Sequence, residues 1–382
     1  MTSVLASLSQ ASAPLLGLTI LWHPLAERVG QQFIGPGGAG DVELSRFLPL
    51  FRKLGGEGAP LGERSVTREP LLLRRDAEDG VAISVPHSRM VVELNGEVIA
   101  ARAHVTRAQI ESGAVLALGG AIVLCLHWMR ALPKANALPG LLGVSGAAIR
   151  MRDLIRQVAA TDLSVLLLGE TGTGKEIAAQ AIHAAGKRAG APLVSVNMAA
   201  LNEALAAADL FGAVKGAYTG AQQARQGLFA EAADGTLFLD EIGDTPAAIQ
   251  PMLLRVLESG EYRPLGARVN LRSAARLIAA TDQDLETMAF NQPLLRRLEA
   301  FVIRVPALRE RREDIGLLIL HFLREWETAT GEAAAPPAAL VAQLCRHDWP
   351  GNLRQRAHVV RRICIGLRAG EAPAFAALVR AA

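Results

Sequence analysis

Seven residues that follow a short apolar run have the types and spacing of a loop that binds phosphate groups. The run Val165–Leu168 leads directly into Gly-Glu-Thr-Gly-Thr-Gly-Lys, residues 169–175, and a helical pattern follows from Ile177. Glycine lets backbone N–H groups turn inward around phosphate oxygens, and a helix N-terminus adds partial positive charge. Lys175 can then reach the β- and γ-phosphates of a nucleotide. The pattern predicts nucleotide binding, although Glu176 stands where a hydroxyl that ligates Mg²⁺ is usual.

Two carboxylates at the end of a second apolar run could supply the metal and water chemistry of phosphoryl transfer. The run is Thr-Leu-Phe-Leu, residues 236–239, and Asp240 and Glu241 follow it directly. One carboxylate can hold Mg²⁺ and the other can orient an attacking water molecule. Alone, the pair would indicate two solvated acids at a strand end. Together with the glycine loop it indicates a site for ATP and Mg²⁺.

The elements that must position these residues follow two patterns along the chain. Up to residue 129, short apolar runs alternate with Gly and Pro turns, which predicts a β-sandwich. From residue 141, apolar runs alternate with helical patterns, which predicts a parallel α/β sheet. Residues 315–367 are predicted to be helical throughout, with a break at residues 349–351.

The composition excludes several classes of protein. Hydrophobic residues make up 51% and charged residues 20% of the chain, which excludes a disordered protein. The net charge of +3 gives no overall field that argues for nucleic-acid binding. Cys125, Cys345 and Cys364 lie far apart in apolar surroundings and predict buried thiols in a reducing cytoplasm. Residues 13–22 are apolar but too few to span a bilayer, so we expect no membrane segment.

Residues 141–367 resemble the sigma-54-dependent transcriptional activators, a branch of the AAA+ ATPases. The most specific feature is Gly-Ala-Tyr-Thr-Gly-Ala at residues 216–221, which is similar to the family's sigma-54-contacting loop with Tyr218 in place of Phe. Glycines let such a loop move, and an exposed ring offers an apolar anchor to a partner. The alternative is a flexible loop with an incidental Tyr. The resemblance implies sigma-54 RNA polymerase as partner, contacted by Gly216, Ala217, Tyr218, Thr219, Gly220 and Ala221.

The same resemblance implies roles for single residues around the nucleotide. Asp240 would bind Mg²⁺, Glu241 would orient water, and Asn197 would switch the conformation of Glu241. Arg297 would reach the neighbouring subunit's site in a homo-oligomeric ring, expected to be a hexamer. Arg354 would touch the nucleotide from a helical lid. The residues expected to hold ATP are Gly169, Glu170, Thr171, Gly172, Thr173, Gly174, Lys175, Glu176 and Arg354.

Two departures from the family pattern predict slowed hydrolysis. Asn291 occupies the first of two Arg positions that act on the neighbouring subunit, and Asp282 occupies the position called sensor I, usually Asn. An acidic group near a γ-phosphate is unfavourable unless it is protonated or paired. We therefore expect ATP binding, with an ATPase reaction (ATP and water to ADP and phosphate) that is slow.

The N-terminal segment resembles a forkhead-associated domain, a β-sandwich that binds phosphothreonine. Arg46, Thr67 and Arg68 are the expected phosphopeptide-binding residues, because arginine and hydroxyl groups at loop tips suit a phosphate. Pro70 stands where the family has His, and Met90 stands where a peptide-gripping Asn is usual. A sandwich that has kept the scaffold and lost the ligand is an equally good interpretation.

These inferences predict a multidomain chain. Its parts are a forkhead-associated-like β-sandwich (1–131), a linker (132–140), an AAA+ α/β domain (141–307) and a helical lid (308–382). We expect a cytoplasmic regulator that couples ATP binding and hydrolysis to remodelling of sigma-54 RNA polymerase. The alternative is a non-hydrolysing scaffold that keeps the AAA+ fold and binds a phosphothreonine protein. Few residues follow Arg354, so no helix-turn-helix and no sequence-specific DNA binding are expected.

Overall fold

The N-terminal part of the chain is built almost entirely from strands. The computed structural model describes residues 14–36, 40–129, 131–218, 221–371 and 374–380. Its first strands are β1 (Leu15–Trp22), β2 (Gln32–Ile34), β3 (Val42–Leu44), β4 (Leu71–Arg75), β5 (Val81–Ser84), β6 (Val92–Leu94), β7 (Glu97–Val98), β8 (Arg102–Val105), β9 (Ala114–Leu118) and β10 (Ile122–Met129). Helix α1 (Arg107–Glu111) precedes β9 and begins at a capping box formed by Thr106 and Gln109.

From residue 146 onward, helices and strands alternate and then give way to helices alone. The alternating elements are α2 (Gly146–Ala159), β11 (Val165–Leu168), α3 (Lys175–Ala184), β12 (Leu193–Asn197), α4 (Ala206–Phe211), α5 (Leu228–Ala232), β13 (Thr236–Asp240), α6 (Gln250–Ser259), β14 (Glu261–Tyr262), β15 (Leu271–Arg272), β16 (Arg276–Thr281), α7 (Gln292–Leu298) and β17 (Val302–Arg304). The final helices are α8 (Ile315–Thr330), α9 (Ala338–Arg346), α10 (Asn352–Arg368) and α11 (Phe375–Arg380). Among the described helices, none is long and apolar enough to cross a bilayer.

The C-terminal helices contain one more break than the sequence predicts. The predicted break at residues 349–351 is confirmed, because α9 ends at Arg346 and α10 begins at Asn352. The prediction of an unbroken helix before it is wrong, since residues 331–337 separate α8 from α9. Gly331 ends α8 at a φ of 74°, and Pro337 directly precedes α9. A left-handed glycine and a proline are the usual signals for ending and beginning a helix.

Contacts divide the chain into two compact units. Unit 1 comprises the described parts of residues 1–136, 142–150 and 308–382, and unit 2 comprises residues 137–141 and the described parts of 151–307. The N-terminal strands and the C-terminal helices therefore belong to one unit. The parallel sheet belongs to the other.

Two antiparallel sheets of unit 1 enclose a common core and form a β-sandwich. One sheet has the order β2-β1-β10-β9-β6-β7 and the other has the order β3-β4-β5-β8. Alternate residues of β10 enter the core between the sheets, among them Leu124 and Leu126. They meet side chains of the second sheet such as Leu73 and Ile83. The predicted sandwich architecture is thus present.

The six-stranded sheet is also covered on its second face, by the C-terminal helices. Val123 and Cys125 of β10 and Val115 of β9 belong to a second core with residues of α8, α9 and α10. Helices α8 and α9 lie against β1, and α9 also contacts β9 and β10. All eight residues of β10 are consequently buried. The three cysteines are buried free thiols, as predicted.

Unit 2 contains a five-stranded parallel sheet of order β12-β13-β16-β11-β17, which confirms the predicted α/β architecture. Apolar side chains on its two faces enter separate cores, for example Leu239 on one face and Phe238 on the other. The carboxyl ends of parallel strands meet at one edge. At this edge β11 leads into the glycine loop, β13 ends at Asp240 and β16 ends at Thr281.

Candidate nucleotide-binding site

The glycine loop connects β11 to α3 with the backbone geometry that a phosphate-binding loop requires. Gly172 and Gly174 have φ angles of 79° and 100°, which are accessible to glycine without strain. A side chain at Gly169 would place its Cβ 2.7 Å from the carbonyl oxygen of Val305, so this position has no room for one. Lys175, the first residue of α3, is buried and donates a hydrogen bond from Nζ to the oxygen of Gly169 at 2.8 Å. The helix N-terminus and the lysine therefore face the inside of the loop.

The remaining predicted loop residues hold the loop together or lie at its surface. Thr173 donates from its hydroxyl to the carbonyl oxygen of Glu170 at 2.7 Å. Thr171 donates from Oγ1 to Oδ2 of Asp282 at 2.5 Å. Glu176 is exposed and accepts a hydrogen bond from Gln180 on the next turn of α3. These contacts fix the loop conformation through side chains as well as through glycines.

Asp240 and Glu241 lie at the end of β13, close to Lys175. Glu241 has a φ of 52°, an uncommon conformation for a residue other than glycine. Its Oε1 lies 3.8 Å from Nζ of Lys175. Oδ1 of Asp240 and Oε2 of Glu241 are buried and accept no hydrogen bond within the described residues. Two buried carboxylate oxygens without donors beside a lysine suit a metal ion or a bound water molecule.

Burial raises the pKa of Glu241 above its ordinary value. The positive charge of Lys175 opposes this shift. The nearby carboxylates of Asp282, Asp240 and Asp244 add to it, with Asp282 the strongest of the three. The site thus concentrates negative charge around one lysine.

Asn197 ends β12 and is paired in register with Asp240 on the adjacent strand. Its side-chain oxygen accepts a hydrogen bond from the backbone N–H of Ala199 at 2.9 Å, and the side chain is exposed. The strand order brings Asn197 beside the carboxylates. In this conformation its amide is engaged by the turn that follows β12.

Asn291 directly precedes helix α7, and Arg297 lies in the last turn of that helix. Arg297 is exposed and pairs with Glu258, with Nη2 and Oε1 3.2 Å apart. Asn291 caps the helix, because its side-chain oxygen accepts a hydrogen bond from the N–H of Leu294 at 2.9 Å. Pro293 occupies the first turn of the helix, where proline is favoured. The residue at the first predicted trans-acting position therefore has a structural task within its own subunit.

The predicted partner-binding loop is supported by a second loop that the sequence reasoning missed. Thr219 and Gly220 lie outside the described residues. The backbone N–H of Val214 donates to the oxygen of Leu265 at 3.0 Å, and a Cβ at Gly266 would lie 3.0 Å from that of Ala217. The ring of Tyr218, expected to be exposed, is partly buried. The only signal for this support is the Arg-Pro-Leu-Gly turn between the short strands β14 and β15.

Arg354 lies exposed in the first turn of α10, and a second arginine two residues later is fully buried. All three nitrogens of Arg356 are buried without hydrogen-bond partners in the described residues, and its guanidinium carbon lies 5.4 Å from the ring centroid of Phe322. Burial lowers the pKa of Arg356, and the positive charge of Arg311 lowers it further. The sequence reasoning missed this residue, whose type alone gives no sign of burial.

The predicted phosphopeptide residues lie on neighbouring loops of the sandwich. Arg46 donates from its guanidinium to the carbonyl oxygens of Val66, at 3.1 Å, and of Arg64. Thr67 accepts a hydrogen bond from the N–H of Glu69, and Arg68 is exposed. The guanidinium of Arg46 thus holds the adjacent loop in place, whereas Arg68 faces solvent.

Comparisons with known proteins agree with this geometry. Residues 141–304 match the family model of the Sigma-54 interaction domain, and residues 309–375 match that of the AAA+ ATPase lid domain. The chain is 43% identical over 227 residues to the DNA-binding transcriptional regulator NtrC of Azospirillum brasilense, a match that covers 58% of this chain and 47% of that protein. It is 44% identical over 241 residues to the transcriptional regulatory protein ZraR of Salmonella typhimurium, covering 61% and 54%.

Solved structures of a related protein match a similar share of this chain. The crystal structure of NtrX from Brucella abortus in complex with ADP is 35% identical with a TM-score of 0.56, covering 59% of this chain and 50% of that one. The complex of the same protein with ATP has a TM-score of 0.55. The chain spans about half the length of the curated relatives it matches. Residues 141–304 are therefore similar to the Sigma-54 interaction domain, and residues 309–375 are similar to the AAA+ ATPase lid domain.

Proposed function

We propose that this chain is an ATP-dependent regulator of transcription that remodels sigma-54 RNA polymerase. The observation that carries the proposal is the pair of buried carboxylate oxygens, on Asp240 and Glu241, without hydrogen-bond donors beside Lys175. This pair lies at the edge of the parallel sheet from which the phosphate-binding loop emerges, inside the segment that matches the Sigma-54 interaction domain. A protein that acts on RNA polymerase works in the cytoplasm.

ATP fits the loop through its phosphates. Backbone N–H groups of residues 169–174 and the start of α3 would surround the oxygens, and Lys175 would neutralise their charge. Arg354 is proposed as a further nucleotide contact from the lid. The NtrX structures in complex with ADP and with ATP support nucleotide binding by this kind of segment.

The carboxylates have separate proposed roles. Asp240 would hold Mg²⁺, which supplies charge neutralisation at the phosphates when it is bound. Glu241 would accept a hydrogen bond from the attacking water and orient it. Asn197, in register with Asp240, is placed to influence Glu241 if its amide leaves the turn at Ala199.

Arg297 is the residue proposed to act on a neighbouring subunit in a homo-oligomeric ring, expected to be a hexamer. Its exposed ion pair with Glu258 is of a kind that contributes about 1 kcal/mol or less. The guanidinium can therefore exchange Glu258 for a phosphate of a neighbouring subunit at little cost. Asn291 cannot supply a second positive charge, which is a reason to expect slow hydrolysis.

Residues 216–221 are proposed to contact sigma-54. The loop is rich in glycine and alanine, and the hydrogen bonds at Val214 and Leu265 anchor its base on the 263–270 loop. Tyr218 offers the largest apolar surface in this segment. A change at its base could therefore alter how far the Tyr218 ring is exposed.

The test compares wild type with Tyr218→Ala and Tyr218→Phe, using sigma-54 retention on gel filtration in the presence of a transition-state analogue of ATP. Wild type and Tyr218→Phe should retain sigma-54, because the ring makes the contact. Tyr218→Ala should lose it while keeping ATP binding. Lys175→Ala should lose ATP binding itself, measured by calorimetry on the folded variant. Retention by Tyr218→Ala equal to wild type would show that this loop does not make the contact.

A second function, a non-hydrolysing scaffold, is favoured by one observation. Asn291 caps α7 and stands where the family that the sequence resembles has one of two Arg residues that act in hydrolysis. The site therefore lacks one of these positive charges. A forkhead-associated-like sandwich with Arg68 facing solvent would then bind a phosphothreonine protein. A measurement of ATP turnover separates the two functions. If wild type hydrolyses ATP and Glu241→Ala abolishes hydrolysis without loss of ATP affinity, the scaffold is excluded. If wild type does not hydrolyse ATP, the scaffold is favoured.

A further inference from the structure

Asp282 lies where the phosphate-binding loop and the carboxylates of β13 meet. It is the first residue after β16, and β16 lies between β13 and β11 in the sheet. Asp282 accepts the hydroxyl hydrogen bond of Thr171 at 2.5 Å. The carboxylate therefore stands against the middle of the loop, on the side that faces the end of β13.

The third phosphate of a nucleotide has a restricted place in this geometry. Lys175 of a phosphate-binding loop reaches the β- and γ-phosphates, and a carboxylate such as Glu241 orients water toward the γ-phosphate. Nζ of Lys175 and Oε1 of Glu241 are 3.8 Å apart. The γ-phosphate must lie next to this pair, whereas the phosphates of ADP lie deeper in the loop. Asp282 is thus a fixed negative charge near the group that distinguishes ATP from ADP.

We propose that Asp282 is a specificity residue that lowers the affinity of the site for ATP relative to ADP. The inference rests on the proposed nucleotide function and deepens it. The hydrogen bond from Thr171 keeps the carboxylate at the loop, and its charge opposes the additional negative charge of ATP. An asparagine at this position could accept the same hydrogen bond and would carry no charge.

The experiment measures the affinities of the full chain for ATP and ADP by competition with a fluorescent nucleotide, with EDTA and with Mg²⁺. For Asp282→Asn in EDTA we expect ATP to bind about tenfold more tightly, since removing one nearby like charge is worth about 1.4 kcal/mol. ADP affinity should change by less than about twofold. Thr171→Val keeps the charge but removes the hydrogen bond that holds it at the loop, so it should give a smaller gain in ATP affinity than Asp282→Asn.

Asp234→Asn is the matched control. Asp234 is exposed and precedes β13, so it lies at the opposite edge of the same sheet and loses the same charge. It should leave both affinities unchanged. Equal changes for ATP and ADP in Asp282→Asn, or none, would overturn the inference and leave nucleotide binding standing. Weaker ATP binding by Asp282→Asn than by wild type in the presence of Mg²⁺ would also overturn the inference, because Asp282 would then help to bind the cation. Wild type that binds neither nucleotide would overturn the proposed function itself.

Discussion

The two large sheets of the molecule are both covered on both faces, but by different means. In unit 2 the sheet is parallel, and its two faces enter two separate cores, as parallel sheets require. In unit 1 the six-stranded sheet is antiparallel, and such a sheet commonly leaves one face to water. Here α8 and α9, from the other end of the chain, cover that face.

The difference shows that a strand without polar alternation indicates a sheet that is buried on both faces. It does not indicate whether that sheet is parallel or antiparallel. Strand β10, Ile-Val-Leu-Cys-Leu-His-Trp-Met, shows no alternation of apolar and polar residues. Leu124 and Leu126 enter the sandwich core, and Val123 and Cys125 enter the helical core. The sandwich and the C-terminal helices therefore share one hydrophobic core. Separating them would expose apolar side chains on both.

The largest expected effect comes from Gly316 in α8, at the closest approach of the helix to the sheet. A Cβ at Gly316 would lie 1.9 Å from the carbonyl oxygen of Leu21 in β1. Backbone cannot move aside cheaply, so Gly316→Val should lower the free energy of unfolding of unit 1 by about 3 kcal/mol. All four tryptophans lie in unit 1, so urea unfolding followed by tryptophan fluorescence reports on this unit alone.

The matched control for this change is Ala329→Val, which adds a β-branched side chain on the exposed end of the same helix. It should shift the transition by about 0.5 kcal/mol or less. Equal shifts for the two variants would show that the helix does not rest on the sheet.

A smaller effect tests whether both faces of β10 are dry. Asparagine at Val123 would bury an amide without partners among the C-terminal helices, and asparagine at Leu124 would do so between the sheets. Each should cost about 2 kcal/mol in the same unfolding measurement. Val98→Asn, on an edge strand with the side chain 66% exposed, should be nearly neutral. If Val123→Asn lowers the free energy of unfolding as little as Val98→Asn, water reaches the helix-facing side of the sheet. The comparison with the parallel sheet then fails.

The fold was predictable from the sequence where local patterns determine it. Glycine spacing after an apolar run predicts the loop between β11 and α3, and alternation of runs with helical patterns predicts the parallel sheet. The packing of α8 on β1 joins residues near position 21 to residues near position 316, and no local pattern identifies such a partner. The unbroken apolar run of β10 fits a strand that is covered on both faces, but the sequence analysis predicted only the sandwich.

The candidate site was predictable residue by residue but not in its contacts. The hydrogen bond between Thr171 and Asp282 depends on β16 being the neighbour of β11, which the sequence does not specify. The same holds for the 263–270 loop that supports Val214, because a turn between two very short strands carries little signal. The cap at Asn291 was predictable from the sequence, since Asn with Pro293 two residues later is a typical helix start.

The smallest expected effect is a pH dependence at His127, which lies on the helix-facing side of β10. His127 is bonded through Nε2 to the hydroxyl of Thr19 at 2.8 Å, and its Nδ1 lies 3.2 Å from Oε1 of Glu313. Burial lowers the pKa of His127 to about 4 from an ordinary 6.5. Below pH 6.5 the unfolded chain therefore binds a proton that the folded chain does not, so this residue's contribution to stability falls as the pH decreases toward 4.

The expected loss is up to about 1.4 kcal/mol per pH unit over that window. Burial also lowers the pKa of His23 and His347 in the same unit, so the informative quantity is the difference between wild type and His127→Gln. Between pH 7 and pH 6, where the expected loss stays below about 1 kcal/mol, His127→Gln should lose less unfolding free energy than wild type, because glutamine does not titrate. A steeper loss in the variant would mean that Glu313 holds His127 charged in the folded chain, and the face between the sheet and the helices would then be more polar than its apolar core indicates.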